Sequence, residues 1–528
     1  MKQIRNILFI MCDQLRADYL SCYGHPKLHT PHIDALAARG VLFSRAYCQS
    51  PICGPSRMSF YTGRYMFSHG SSWNAYPLRV DELTMGDYLR RLGRQTVLVG
   101  KTHMAADREG MARLEIDPDS ELGVLVSECG FEPFERDDGL HPDRSVKPDL
   151  AYNEYLRAKG YNDPNPWHTA ANSVEGEAGE TLSGWFWGHS GGAAKVREED
   201  SETAYMTDRA MQFIERAGDE PWVVHLSYIK PHWPYIAPEP YASMYGVDDI
   251  VPVVRDAAEK IDPHPVYAAF MRQRDSELFD REDARATIIP AYMGLVKQID
   301  DHIGRMSNFL VDKGLAEATM IVFTSDHGDN LGDHWLGEKD LFHESSIRLP
   351  LIVVDPRSEA DPTRGTVDDR FVEAIDLVST FVEAVGGEVE PHRMEGRSLL
   401  PLLHGVSVEW RGYTICESDY SGRSARETLR IEPWDARAFM IRNERWKYIL
   451  HQKYRPQLFD MENDAEEFAD LGDHPDFEAV RAEMHETLFS WMRDRRLRVT
   501  VSDEWIRKTP PDPSKRGIYI GYWGSPEG

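Results

Sequence analysis

Three short apolar runs, far apart in the chain, each stop at a cluster of polar and ionisable side chains. Ile7–Cys12 runs into Asp13-Gln14, Thr96–Gly100 into Lys101-Thr102-His103, and Met320–Thr324 into Ser325-Asp326-His327. Runs this short, rich in β-branched residues and alternating with helical patterns, read as buried strands of a doubly wound α/β sheet. Trp222–Ile229 and Leu351–Val354 extend the set. Open α/β sheets bind ligands outside the carboxyl ends of their strands. Three polar clusters at three strand ends therefore predict one site along one sheet edge. Thr30-Pro31 is expected to supply the N-cap and first turn of a helix through Ile33–Arg39, stopped by Gly40.

A chain of 528 residues exceeds the usual size of one domain, so a large core with a smaller module is expected. From about Ala105 to Gly191 the periodicity fades, which predicts long loops over a pocket instead of a separate domain. Beyond Gly405 the runs Tyr413–Glu417, Ala438–Ile441 and Lys447–Leu450 suit a small antiparallel sheet. Phe477–Arg493 then reads as one amphipathic helix. The expected division is a catalytic α/β domain over 1–405, an α+β subdomain over 406–498 and a tail over 499–528. The aromatic stretch Gly517–Trp523 is expected to pack on a neighbouring subunit of a homo-oligomer.

A formal net charge of −27 argues against nucleic acid and anionic membrane as partners, where clustered Lys and Arg would be expected. An anion-binding pocket in such a chain must build its own positive field from a metal ion and a few basic side chains. No apolar run approaches the ~20 residues that span a bilayer. Six cysteines (Cys12, Cys22, Cys48, Cys53, Cys129, Cys416) are too few for a disulfide framework at this length. Asn6–Met11 is already a strand, which leaves no room for a secretory signal ahead of it, and a cytoplasmic protein is expected.

Cys53-Gly54-Pro55-Ser56-Arg57 places a cysteine at a probable helix start, where orphan N–H groups and the helix dipole favour negative charge. By itself it reads more readily as a buried, inert thiol at a helix cap with a surface arginine. Asp13 alone reads as a strand-end cap and Asp326 as a turn residue. Together with His327 they suit a hard divalent cation. His232, in Pro231-His232-Trp233-Pro234, and Lys339, in Gly337-Glu338-Lys339, acquire functional meaning only as members of this set.

The Cys-x-Pro-x-Arg pentapeptide, followed by Met58-Ser59-Phe60-Tyr61-Thr62-Gly63, resembles the signature of type I sulfatases in the alkaline phosphatase superfamily. So do Gln298-Ile299-Asp300-Asp301, Glu344-Ser345 with Arg348, Gly396-Arg397-Ser398-Leu399, and Arg445-Trp446-Lys447-Tyr448 with Leu458-Phe459-Asp460. The resemblance implies a large mixed, mostly parallel sheet sandwiched by helices, with a smaller C-terminal antiparallel sheet plus helix. It implies that a maturation enzyme oxidises Cys53 to Cα-formylglycine, whose hydrate is the nucleophile. Arg57 would steady that group. Asp13, Asp326, His327 and the position-53 oxygen would hold one divalent cation, with Gln14 behind them. Lys101 and His103, flanking Thr102, would act as charge stabiliser and base, with Thr102 itself near the substrate. His232 and Lys339 would bind the transferred group and the leaving oxygen, with Asn74 in the same pocket.

Many sulfatases carry Asp-Asp and Asp-Asn where this chain has Asp13-Gln14 and Asp326-His327. An imidazole ligand shifts preference from Ca2+ toward Mn2+. Those two pairs resemble phosphonate monoester hydrolases and phosphodiesterases, whereas Lys101 with His103 resembles sulfatases. The expected activity is hydrolysis of small sulfate monoesters, arylsulfatase-like, with phosphonate monoester or phosphodiester turnover as the alternative. Trp167-His168 and Trp185-Phe186-Trp187 fit either a leaving-group pocket for an aryl group or anchors for long loops. An unmodified-nucleophile phosphatase would need Ser or Thr at position 53 and ligands for a second metal. A Cys-x5-Arg thiol phosphatase is excluded because Arg57 is four residues after Cys53. A catalytically dead metal-binding homologue would show erosion of the polar set, which is complete.

Overall fold

The architecture follows from alternation within one strand, β1 (Asn6–Asp13), which is buried along its whole length. Ile7, Phe9 and Met11 enter one apolar core, while Leu8, Ile10 and Cys12 enter a second. Successive side chains of a strand point to opposite faces, so the sheet carries a core on each side. The computed structural model describes residues 4–142, 149–495, 498–509, 515, 517–521 and 523–524.

The remaining strands of the large sheet are β2 (Val41–Tyr47), β3 (Gln95–Gly100), β4 (Glu132–Arg136), β5 (Trp222–Pro231), β6 (Thr319–Ser325), β7 (Arg348–Val354), β8 (Thr366–Asp368) and β9 (Val372–Glu373). Their spatial order is β8-β2-β7-β6-β1-β5-β3-β4, with β9 also paired to β2. β1 runs parallel to β5 and β6, and β3 parallel to β5 and β4. β7 opposes both of its neighbours. The sheet is mixed and mostly parallel, as expected.

Helices α1 (Pro31–Arg39), α2 (Cys53–Thr62), α3 (Glu202–Ala217), α4 (Glu282–Asp312) and α5 (Asp376–Ala384) flank it. Met58 and Phe60 of α2 pack with Leu377 and Phe381 of α5 in one core. Met206 and Phe213 of α3 pack with Ile288 and Val296 of α4 in the other. Thr30 stands at the N-cap of α1 and Gly40 at its C-cap, as expected, but the Thr30 side chain is not the capping acceptor. Asp300 of α4 accepts from the backbone N–H groups of His32 and Ile33, each at 2.9 Å, while the Thr30 hydroxyl pairs with Ser21 at 2.8 Å. A carboxylate is the stronger acceptor at a helix N-terminus, and it ties α1 to α4.

The stretch from 105 to 191 is more regular than expected. It holds helices Arg108–Arg113, Glu121–Ser127 and Ala151–Ala158, a ribbon of Ser173–Glu175 with Thr181–Ser183, and the edge strand β4. The polar sequence of β4, with Pro133 inside it, lacks the alternation that marks a strand and suits only an edge.

A second sheet pairs β10 (Tyr413–Asp419), β11 (Arg437–Asn443), β12 (Trp446–His451) and β13 (Gln457–Asp460) in antiparallel order. Helix α6 (Glu478–Arg493) covers it through Met484, Leu488 and Trp491. The expected subdomain and tail include 496–497, 510–514, 516, 522 and 525–528, which lie outside the described residues. Ile520 and Trp523 of the tail are fully open to solvent. Among the described residues no helix is long and apolar enough to cross a membrane.

Asp300→Ala should cost about 1–2 kcal/mol through the lost cap. A lowered thermal unfolding midpoint with an unchanged far-ultraviolet spectrum is the expected result, and an unchanged midpoint would contradict it.

Candidate active site

Parallel registration brings the strand ends to one edge. Cys12 lies beside Ser325, and both Met11 and Gly100 lie beside Ser227. Asp13, Lys101, His232 and Asp326 therefore stand at or just past neighbouring strand ends. Gly100 makes this approach feasible. It has φ of +111°, and a Cβ there would sit 1.9 Å from Ser227 O. No residue with a side chain fits, so the chain can turn Lys101 inward only at glycine.

Cys53 opens α2, whose residues are all buried. One atom each of Asp13, Cys53, Asp326 and His327 lies within 4.8 Å of the other three. Cys53 Sγ is 3.0 Å from His327 Nε2 and 3.7 Å from Asp13 Oδ1. His327 Nδ1 lies 2.8 Å from Gly328 O. A carbonyl only accepts, so Nδ1 is the donor and Nε2 is the atom offered to the cluster. Burial opposes charge on His327, but Asp326 and Cys53 outweigh it and raise its pKa to about 9. Burial likewise opposes a Cys53 thiolate, yet Lys339, His327 and Lys101 hold that thiol well below its ordinary range. Position 53 is thus a place where negative charge is favoured.

Arg57 is completely buried and braces the two carboxylates. Its Nε donates to Asp326 Oδ2 at 2.8 Å and its Nη2 to Asp13 Oδ2 at 3.3 Å. Its Nη1 donates to Lys101 O and Ser227 Oγ, both at 2.8 Å. Lys101 Nζ lies 2.5 Å from Asp13 Oδ2, an ion pair by distance without aligned hydrogen-bond geometry. Gln14, at φ of +65°, stands behind the cluster. Its backbone N–H donates to Asp326 Oδ1 at 3.0 Å, its Nε2 donates to Asp329 Oδ2 at 2.5 Å, and its Oε1 accepts from Lys339 Nζ at 2.6 Å. Lys339 is thereby aimed at the cluster through one amide.

His232 Nδ1 donates to Trp233 O at 2.7 Å, leaving Nε2 to face the cluster. Burial, helped by Lys339, lowers its pKa against the pull of Asp13, and the ring also contacts Cys53. The His103 ring contacts Cys53 as well. Its backbone, at φ of +55°, is pinned by N–H donation to Asp138 Oδ1 at 3.0 Å. Arg136 Nη2 holds Asp138 Oδ2 at 2.7 Å and Met104 O at 3.1 Å, and Arg136 also pairs with Glu128.

Two expected substrate contacts are engaged in holding the frame. Thr102 Oγ1 donates to Glu128 Oε2 at 3.3 Å. Asn74 Oδ1 accepts from Gly54 N at 2.8 Å and satisfies an orphan N–H of α2. Asp138, Asp329, Ser227 and Tyr235, whose hydroxyl donates to Asp329 Oδ2 at 2.7 Å, were not anticipated from the sequence. Asp137-Asp138 follows β4 directly, so the strand-end rule would have found Asp138 had β4 been recognised. Trp167 is buried, with Nε1 donating to Glu202 Oε1 at 2.7 Å, and is an anchor. Trp185, Phe186 and Trp187 instead line a cleft of about 660 Å³ that also includes Trp233 and Glu338.

A family model described as Sulfatase matches residues 5–387, and one described as N-sulphoglucosamine sulphohydrolase, C-terminal, matches residues 332–494. The multifunctional alkaline phosphatase superfamily protein PehA of Trinickia caryophylli is 29% identical, covering 92% of this chain and 95% of its own length. An arylsulfatase of Clostridium perfringens is 26% identical, covering 88% of this chain and 90% of its own. The solved structure of phosphonate monoester hydrolase SpPMH from Silicibacter pomeroyi superposes with a TM-score of 0.82 at 28% identity. That match covers 94% of this chain and 96% of the other.

His327→Ala should lower Mn2+ affinity by at least about 10-fold, read by metal analysis after equilibrium dialysis. Retention of wild-type affinity would remove His327 from the ligand set. Asp138→Ala should cut kcat by about 10- to 100-fold with KM little changed, because it frees His103 from its pinned backbone. Unchanged kcat would show that the Asp138 contact is dispensable.

Proposed function

The chain belongs to the sulfatase family of ester hydrolases, and from that membership we propose that it hydrolyses small sulfate monoesters with a formylglycine derived from Cys53. The observation that carries this reading is the cage around position 53. Asp13, Asp326 and His327 lie on one side, and Lys101, His103, His232 and Lys339 act on the same point. A second reading, phosphonate monoester or phosphodiester hydrolysis at the same site, is supported by His327 in the ligand set and by likeness to two phosphonate monoester hydrolases at 28% and 27% identity. The transferred groups of both ester classes carry one negative charge, so one field can receive either.

The donor set suits one divalent cation. Two buried carboxylates supply charge and an imidazole with a fixed tautomer supplies a nitrogen, a mixture that favours Mn2+ over Ca2+. When mature and loaded, position 53 supplies a hydrate oxygen as nucleophile, and the cation supplies positive charge to that oxygen and to the ester. Lys101 and Lys339 add two buried ammonium groups to the field that receives the ester's anionic oxygens. His103 is placed to remove a proton at position 53. His232 is kept neutral by burial, and an arriving anionic ester opposes that effect. Nε2 then gains a proton that it can share with the leaving oxygen. Arg57 holds Asp13 and Asp326 apart and oriented throughout.

The decisive experiment combines mass spectrometry of the peptide carrying residue 53 with turnover of 4-nitrophenyl sulfate and 4-nitrophenyl phenylphosphonate. Co-expression with a formylglycine-generating enzyme should yield the aldehyde at position 53 and turnover of the sulfate ester. Cys53→Ala should lose at least about 10³-fold in kcat/KM. Faster turnover of the phosphonate ester would favour the second reading. Metal-loaded, modified protein that cleaves neither ester would overturn both.

A further inference from the structure

The cleft beside the cluster has two chemically different walls. Trp185, Trp187 and Trp233 form an aromatic corner, with ring centroids 5.6 Å and 6.4 Å from Trp233. The cleft also reaches Glu338, and Trp233 and Glu338 are the chain neighbours of His232 and Lys339. Glu338 is close enough to Cys53 and His232 to feel their charges. The cleft thus adjoins the cluster through Trp233 and Glu338.

On the other wall three carboxylates, Glu338, Asp340 and Asp275, lie around one guanidinium, that of Arg423. Arg423 Nη2 is shared between Glu338, at 3.3 Å, and Asp340, at 2.7 Å. Lys339 turns its ammonium to Gln14 instead. Asp275 lines the cleft, and its carboxylate makes no hydrogen bond or ion pair to another residue among those described. Burial, and then Glu338, raise its pKa to about 7 against the pull of Arg423. At the solvent rim Arg274 and Glu277 offset each other, and Arg281 is held by Asp283 at 2.5 Å.

We propose that this cleft is the leaving-group subsite and that it selects esters whose alcohol carries a cationic ammonium group on an apolar body. This rests on the ester-hydrolase reading above. Aromatic faces attract a cation through their quadrupoles, and the unmatched carboxylate supplies the countercharge that the protein itself lacks there. A neutral aryl group would fill the aromatic corner and leave Asp275 unpaired. An anionic group would be repelled. The favoured substrate is a zwitterion, with its anionic end on Lys101 and Lys339 and its cationic end on Asp275.

The test uses formylglycine- and metal-loaded enzyme with two aryl sulfates of matched shape, 3-(trimethylammoniomethyl)phenyl sulfate and 3-neopentylphenyl sulfate. Wild type should prefer the cationic ester by about 10-fold in kcat/KM, mostly through KM. Asp275→Asn should abolish most of that preference while turning over the neutral ester at nearly the wild-type rate. Equal kcat/KM for both esters in wild type, or equal loss of both in the variant, would overturn the proposal. If the variant does not fold, benzyltrimethylammonium binding to the wild type, read by tryptophan fluorescence, decides the matter. Saturable quenching supports the subsite and its absence removes it. That readout also stands apart from catalysis, so enzyme that binds the cation but cleaves no ester would fail only the hydrolase reading.

Discussion

Everything at the site depends on one buried guanidinium held between two buried carboxylates. Asp13 and Asp326 end adjacent parallel strands, where two negative charges without solvent would repel each other strongly. Arg57 answers both and also bonds Lys101 O and Ser227 Oγ. One side chain thus connects β1, β3, β5 and β6 to α2. Removing one partner from such a group typically costs about 3–5 kcal/mol, because it strands a buried charge. The arrangement is worth little as simple stabilisation, since a hydrophobic trio could fill the same space. Its value is geometric. It pre-assembles the acidic half of a candidate metal site and fixes the rotation of α2, so that Cys53 faces that site.

Once α2 is set, its first turn has little freedom. Gly54 N is satisfied by Asn74, and a Cβ at Gly54 would lie 2.8 Å from Asn74 Oδ1. Pro55 removes a further donor that would otherwise need a partner. The result is a helix N-terminus whose dipole and neighbouring cations all favour negative charge at residue 53. That requirement is the same for a thiolate, a hydrated aldehyde or an anionic ester oxygen. Electrostatic preorganisation of this kind is in place before any ligand arrives, which is what makes it effective in catalysis.

The parts legible in the sequence were those in which composition breaks locally. Polar clusters at the ends of apolar runs stood out because a buried parallel strand has no other reason to stop at Asp, Lys or His. Asp13, Lys101 and Asp326 were readable for that reason, and the five central strands with them. Features built by tertiary pairing left no such mark. Asp300 caps a helix 268 residues away, and Gln14 gains its place from Asp326, Asp329 and Lys339, all distant in the chain. β4 was missed because an edge strand may be polar and contain proline. Asn74 and Thr102 are expected beside the substrate, but their hydrogen bonds go to the helix start and to Glu128.

The polarity of the site explains how a chain with a net charge of −27 can handle an anion. The field at long range repels anionic esters, so capture must rest on a short-range concentration of cations. Lys101, Lys339 and Arg57 supply it, each fully or nearly fully buried, where charge is least screened. Just outside, Glu338 and Asp340 share Arg423, and Asp275 lies near them without an ion pair of its own among the described residues. Buried cations at the reacting centre therefore give way to carboxylates around a single guanidinium at the cleft. A molecule with opposite charges at its two ends, and none overall, meets neither the long-range repulsion nor a mismatch at either wall. The boundary runs through two adjacent residues, Glu338 and Lys339. Their side chains part, one toward Arg423 and the other toward Gln14, so one backbone step separates the anionic and cationic halves of the pocket.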